Sequence, residues 1–431
     1  MMFKQHNVLG SNNLARLFSL TDQGAQGVGN ILATAALGRM LPIGQFGNIG
    51  VAIGIYYFVA GFHRSAVVLP YITEHAMHGT ADEARRYHSD WWWFNVMMAF
   101  GLALVLAALA GGLAILQPWA PRLRWGIAPL LLGALITPPL LLAEQARRWL
   151  YKIDRADAAA LVALIYAGVL VVAAVVLPHL LTGQIAAGMA WALAGLAATV
   201  LPLAVLRVGG FSLWRSLDCF ARHRRFATWL SLTIIPYVFY SNATVVILIG
   251  ICNGPLAAGV FTAARTLTNP AVSIVSAVDS IDKPRAARAL ATGGLAGLRD
   301  SVRRTRLLLI VVTGGYLAVI AAAAQPLLDA VFHHRYSGIT LEVRVLAAAI
   351  FLFCLNQPSE TMLIVLRASA TMFATRTATA VLTVVLLVAG SGYGVTGMAI
   401  GIALAQAANL LFLLAGAAWV EHRQSARPVP A

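Results

Sequence analysis

Four polar residues, Asp22, Gln26, Asn30 and Thr34, recur at every fourth position in the first apolar stretch of the chain. That interval stacks them along one face of a helix. A second apolar run carries His63 and Arg64. A third carries Arg265, with Asn269 one turn further on, and Glu360 closes the run Asn356-Gln357-Pro358-Ser359-Glu360. Ionisable groups are costly in hydrocarbon and usually face a bundle interior or a wet cavity. A guanidinium cannot shed its proton to escape that cost, and its planar fork makes two charge-assisted bonds to a phosphate at once. Arg64 and Arg265 are therefore candidate cationic stations for an anionic group that crosses a membrane. Gln26, Asn30 and Asn269 are candidate polar contacts to the same substrate. Asp22 and Glu360 are candidates for an acid that couples transport to an ion. Asp22 and Arg64 lie at similar depths from the inner ends of their helices. Contact between them is geometrically reasonable, and a structural ion pair and an open ligand site stand level.

The elements that must position these groups are membrane helices. Hydrophobic residues make up 60% of the 431 and charged residues only 11%, with mean hydropathy +0.78. That composition excludes an ordinary soluble domain and predicts an all-α polytopic membrane protein. Segments of about 20 mostly apolar residues occur twelve times: 17–38, 46–70, 91–117, 125–147, 157–178, 184–206, 227–250, 255–280, 305–325, 343–366, 371–391 and 394–419. With the N-terminus in the cytoplasm, 24 of the 31 Lys and Arg residues fall on cytoplasmic segments and helix ends, five fall opposite, and Arg64 and Arg265 remain inside spans. The bias supports the alternation and puts both termini in the cytoplasm. It also accounts for the net charge of +15 without nucleic acid as a partner. The first apolar segment follows a polar start with no small-residue cleavage site, so it is expected to stay as a helix.

The spans divide into an N-terminal six-helix bundle (1–206), a cytoplasmic amphipathic linker (207–226) and a C-terminal six-helix bundle (227–431). The linker, GGFSLWRSLDCFARHRRF, reads as a basic amphipathic helix on the inner leaflet. Trp91-Trp92-Trp93, Trp119 and Trp125 read as interfacial anchors. Thr262, Thr266, Ser273 and Ser276 share a face with Asn269, a pattern of close helix packing, and Pro270 predicts a kink. Glu144 falls near an inner end, where solvation is expected. Tyr237, Tyr240, Ser241, Asn242 and Thr244 line one side of the seventh span. Cys219, Cys252 and Cys354 are too far apart in sequence for metal or redox spacing, and His333-His334 lacks ligands at metal spacing. Neither a phosphate-cradling Gly-Lys-Ser/Thr loop nor a nucleophile elbow is present. No cofactor, no metal and no covalent chemistry are expected.

The run LTDQGAQGVGNILATAALGRMLPIGQFGNIGVA carries Asp22-Gln23, Gly27 to Asn30, Gly38-Arg39-Met40-Leu41 and Phe46-Gly47. It resembles the opening of bacterial lipid-linked oligosaccharide flippases of the multidrug/oligosaccharidyl-lipid/polysaccharide exporter superfamily. The eighth span, GVFTAARTLTNPAVSI, and the region Gly394–Gly401 look like the corresponding helices, so the resemblance covers nearly the whole chain. It implies twelve transmembrane helices in two six-helix bundles around a central cavity that opens alternately to either side. It implies transfer of an undecaprenyl-pyrophosphate-linked oligosaccharide from the cytoplasmic to the periplasmic leaflet of a bacterial inner membrane, for cell-surface polysaccharide synthesis. The partners implied are that polyprenyl-pyrophosphate-linked glycan, membrane lipids, a polysaccharide polymerase and glycosyltransferases. Related lipid II flippases place cationic residues in the cavity, and Arg64 and Arg265 occupy analogous helices. Related drug exporters couple through acids, a role for which Asp22 is the candidate. Two other readings remain open: a cation-coupled small-molecule exporter, and a membrane-embedded glycan polymerase or ligase.

Overall fold

The computed structural model describes residues 8–73, 80–119, 121–206, 208–241, 243–336 and 338–425. All regular structure among them is helical: α1 (Val8–Met40), α2 (Ile43–His63), α3 (Leu69–Thr73), α4 (Ala81–Leu116), α5 (Ile127–Lys152), α6 (Ala156–Leu180), α7 (Gly183–Leu206), α8 (Leu213–Tyr240), α9 (Val245–Ala322), α10 (Ala324–Phe332), α11 (Thr340–Val365), α12 (Ser369–Gly390) and α13 (Gly394–Ser425). Among the described residues, eight helical segments are long and apolar enough to cross a membrane. Two of these, Val245–Ala322 and Ser369–Arg423, each hold two of the expected spans. The other two expected spans lie in α1, diluted by its polar face, and in α8, diluted by its basic first half.

The chain divides into two compact units. The first takes the chain up to Pro42 together with Ile55–Ile234. The second takes Ile43–Gly54 and everything from Ile235 onward. In the first unit α1 packs along α6, α6 along α7, and α5 against both α4 and α7. In the second, α11 lies between α9 and α13, and α13 packs along α12. The N-terminal half of α2 is seated on α9 so closely that side chains would not fit. A Cβ at Gly47 would lie 1.8 Å from the Pro255 carbonyl oxygen, and one at Gly50 would lie 2.0 Å from Thr262 Oγ1. Glycine is what permits that approach.

Two expectations are corrected here. First, Trp91 and Trp92 are not interfacial anchors: they are 0% and 4% exposed. Helix α4 starts ten residues before the expected span, behind a capping box of Thr80 and Glu83, so these rings fall inside the helix. They join Tyr71, Phe94, Trp149 and Cys219 in a buried core. Lys152 donates to the Tyr71 carbonyl and lies over the Tyr71 ring at 4.3 Å and the Tyr87 ring at 4.7 Å.

Second, the basic stretch is not a linker separate from the seventh span, because α8 runs unbroken from Leu213 to Tyr240. Its first half is fixed to α4. Phe220 stacks on Phe94 and His223 meets Trp91, and just ahead of α8 the Gly209 carbonyl accepts from Trp93 Nε1 at 2.9 Å. Its outer side leaves Trp214 80% exposed.

Pro270 lies inside α9 without breaking it; helical φ/ψ is left only at Gly254 (φ 80°) and Gly294 (φ 60°). Positive φ at these two positions is what glycine tolerates. Near Pro270 the backbone gains a bond from the last leg of α9 itself, where the Tyr316 hydroxyl donates to the Leu267 carbonyl at 2.7 Å. The hydroxyls of Thr262 and Thr266 bond back to Ala258 and Thr262 carbonyls within α9, in keeping with a packing role.

Candidate functional site

The last turns of α5 read Glu144-Gln145-Ala146-Arg147-Arg148-Trp149-Leu150-Tyr151-Lys152. A glutamate followed by arginines three and four residues later places both guanidiniums on its own face, and the i to i+4 order with Glu first is the favourable one. Arg147 Nη2 bonds Glu144 Oε2, and Arg148 Nη2 lies 2.9 Å from Glu144 Oε1. Arg64 Nη2 approaches the same Oε1 at 3.8 Å. Three guanidiniums thus converge on one carboxylate. The other end of Arg147 reaches α1, where Nη1 lies 3.1 Å from Asp22 Oδ1. Asp22 also accepts from the Tyr151 hydroxyl at 2.7 Å and from Gln26 Nε2 at 2.8 Å.

The result is an alternating chain, Arg64–Glu144–Arg147–Asp22, with Arg148 as a branch. Side-chain exposure rises along it from 5% at Asp22, through 13–14% at Arg147 and Glu144, to 34% at Arg148 and 56% at Arg64. The charges sum to one excess positive. The buried end is satisfied by hydrogen bonds on both carboxylate oxygens, as a buried pair requires. The exposed end holds a guanidinium whose contact with Glu144 is long.

Arg64 stands at a change in helical geometry. It opens a π-helical turn, Arg64–Val68, directly after α2. Such turns insert an extra residue and shift the faces that follow. His63, one residue earlier, points inward: it is buried and its Nε2 lies against Asn95 Oδ1 of α4. The two adjacent residues therefore differ in surroundings: His63 is buried, whereas the Arg64 side chain is 56% exposed.

The expected contact between Asp22 and Arg64 is therefore corrected. Matching depth did not mean matching faces, because α1 lies along α6 and Asp22 meets Arg147 of α5 instead. Glu144, expected to be solvated, is the hub of the cluster. Asn30 is not part of it. Its Oδ1 accepts from the Tyr166 hydroxyl and from Trp191 Nε1, both at 3.2 Å, so it ties α1 to α6 and α7. The signal for Glu144 and Arg147 was present in the Glu-x-x-Arg-Arg spacing, but their position near a helix end read as loop charge.

In the second unit Arg265 is 9% exposed, and its Nη1 donates to the Ala243 carbonyl at 3.2 Å, in the break between α8 and α9. Asn269 is half-buried on the same helix. Asn242 lies outside the described residues. Glu360 is 6% exposed and accepts from Arg376 Nη2 at 3.2 Å. Asn356, nearby on α11, donates to Gln406 Oε1 at 3.0 Å. No group of three His, Cys, Asp or Glu among the described residues could hold a metal ion.

No protein-family model matches this chain, and no curated protein matches it. Solved structures do. An inward-facing multidrug resistance transporter of the MATE family, in the MOP superfamily, aligns with TM-score 0.67 and 15% identity over 93% of this chain and 95% of that one. Lipid II flippase MurJ in an inward closed conformation aligns with TM-score 0.66 and 12% identity, over 92% and 86%. An outward-facing MATE transporter gives 0.52 and 17%, over 95% and 94%. At these identities the likeness is one of fold: a multi-pass, all-helical membrane protein of twelve spans built as two bundles.

Proposed function

We propose that this protein is a flippase that carries an undecaprenyl-pyrophosphate-linked oligosaccharide from the cytoplasmic to the periplasmic leaflet of a bacterial inner membrane. The observation that carries this reading is the cluster of Arg64, Arg147 and Arg148 around Glu144. With Asp22 counted it holds one more positive than negative charge within a membrane-spanning bundle, and its most exposed member, Arg64, is its most weakly engaged. A pyrophosphate presents several oxygens to such a group, and a guanidinium binds two of them in parallel. Arg64 takes the headgroup, while Glu144 holds the guanidinium in place until the headgroup arrives. Asp22 and Arg147 anchor the cluster to α1.

No bond is made or broken in the cargo. Movement requires only that the headgroup favour different conformations at different stages. An inside-negative membrane potential favours outward passage of an anion by about 2.3 kcal/mol per charge per 100 mV. The fold shared with a lipid II flippase supports the same reading.

The likeness to a multidrug transporter favours a second one, a small-molecule exporter. The excess positive charge of the cluster separates the two, since it attracts anionic cargo and repels cationic drugs.

The deciding experiment is deletion of the protein in its native host. Lipid-linked glycan should accumulate facing the cytoplasm, and Arg64→Gln at parental protein level should reproduce the defect. Glycan that reaches the outer leaflet normally but stays unpolymerised would point to a polymerase instead. Unaltered glycan with increased sensitivity to cationic compounds would point to the exporter.

A further inference from the structure

A second group of arginines lies in the second unit, around consecutive residues of α11. Ser359 and Glu360 are 1% and 6% exposed. Arg306, on the last leg of α9, donates from Nη2 to Ser359 Oγ at 2.9 Å. Arg376, on α12, donates from Nη2 to Glu360 Oε2 at 3.2 Å and lies 5.3 Å from the Tyr237 ring. Adjacent helical residues are separated by about 1.5 Å along the axis and about 100° around it, so the two guanidiniums reach neighbouring faces of α11 at one level, from two different helices.

Their charges are not balanced. Arg306 has no acidic partner among the described residues, and a serine hydroxyl does not neutralise it. Glu360 serves Arg376 alone. Of the acids on α9, Asp279 meets Thr361 Oγ1 at 3.5 Å and carries its own Lys283 at 2.6 Å, and buried Asp282 accepts from Thr305. The Nε atoms of both Arg306 and Arg376 are buried and have no hydrogen-bond acceptor. A charged donor left unmatched in a low dielectric is costly, and such groups in native proteins usually mark a missing water or ion. On each arginine the unmatched atom is Nε, half of the Nε–Nη edge that grips two oxygens of a phosphate.

We propose that Arg306 and Arg376 form a phosphate-binding station in the second unit, with Ser359 as a positioning residue and Glu360 as its resident competitor. The inference rests on the reading that the cargo carries phosphate, and it moves the second station away from Arg265, which spends a donor on the Ala243 carbonyl. It also takes Glu360 out of ion coupling: its counter-cation is a tethered guanidinium, released when a phosphate replaces the carboxylate.

The test uses the full chain in nanodiscs of phosphatidylcholine, titrated separately with inorganic pyrophosphate and with a polyprenyl pyrophosphate. Glu360→Gln should tighten binding about tenfold, because a competing acceptor for a charge-assisted bond is removed. Arg306→Gln, with half-buried Arg306 a mild substitution for the fold, should weaken binding about tenfold in the parent and in the Glu360→Gln background. A response to both probes assigns the site to phosphate as such, and a response to the lipid alone assigns it to the headgroup of a lipid; either supports the station. If Glu360→Gln leaves both affinities unchanged or weaker, Glu360 and Arg376 are only a structural pair and the station is refuted. Arg64→Gln is read in parallel. Loss there with no response at Arg306 and Glu360 refutes this station and leaves the first cluster standing. The reverse pattern refutes the first cluster and keeps this station.

Discussion

Replacing Asp22 by Asn tests whether the cluster is anchored as described. The Asp22 side chain is 5% exposed and faces Arg147, which is 13% exposed. Asparagine keeps one acceptor but loses the charge, and its amide hydrogens would confront the Tyr151 hydroxyl and the Arg147 guanidinium. Breaking a buried ion pair by removing one partner costs about 3–5 kcal/mol. The lower figure applies, because Glu144 still neutralises Arg147 from the other side. For a unit of about 200 residues each kcal/mol moves the midpoint by about 2–4 °C, so Asp22→Asn should melt about 6–12 °C below the parent. Helical circular dichroism of the detergent-purified protein reads this directly. The double variant Asp22→Leu with Arg147→Met should recover most of the loss, since an apolar pair often replaces a buried ion pair without net cost. Arg64→Gln, at a 56% exposed side chain, should stay within about 0.5 kcal/mol of the parent. The reasoning fails if Asp22→Asn melts with the parent, or if the double variant is no better than the worse single one.

Other outcomes follow from packing. Gly50→Ala should cost about 1–3 kcal/mol by overpacking against Thr262, whereas Gly111→Ala, which meets nothing within 4 Å, should be neutral or gain about 0.5–1 kcal/mol from helix propensity; thermal midpoints of the two proteins check the contrast. Trp91→Ala, at a fully buried ring, should cost about 3–5 kcal/mol, seen as loss of folded yield in a size-exclusion profile.

The helices were legible because a membrane span is defined by length and apolarity, and charge bias orders the spans. Faces were harder. Asp22, Gln26 and Asn30 share the face that spacing assigns, yet they divide between two neighbourhoods: Asp22, to which Gln26 donates, turns to α5, while Asn30 reaches α6 and α7. Which helix lies against a polar stripe depends on small-residue packing, and that signal is degenerate when most residues are Ala, Leu, Val or Gly. Arg147 shows a second limit. A cation near a helix end satisfies the positive-inside rule whether its side chain runs to the interface or folds back onto a neighbour, so loop charge and buried ligand look alike. The π-turn after His63 illustrates a third: it falls inside an apolar run whose pattern does not show the extra residue, and Arg64 opens it with an exposed side chain while His63 just before it is buried.

The aromatic core of α4 also has an optical consequence. Nine of the ten tryptophans, Trp91, Trp92, Trp93, Trp119, Trp125, Trp149, Trp191, Trp214 and Trp229, fall in the first unit, and Trp419 alone falls in the second. Trp91, Trp92 and Trp149 are almost wholly shielded, which gives blue-shifted emission, while Trp419 is half exposed beneath Arg423. Intrinsic fluorescence therefore reports one half of the molecule almost exclusively. A label-free melt will follow the first unit and miss the second, and a single tryptophan placed on α11 would give the other half its own signal.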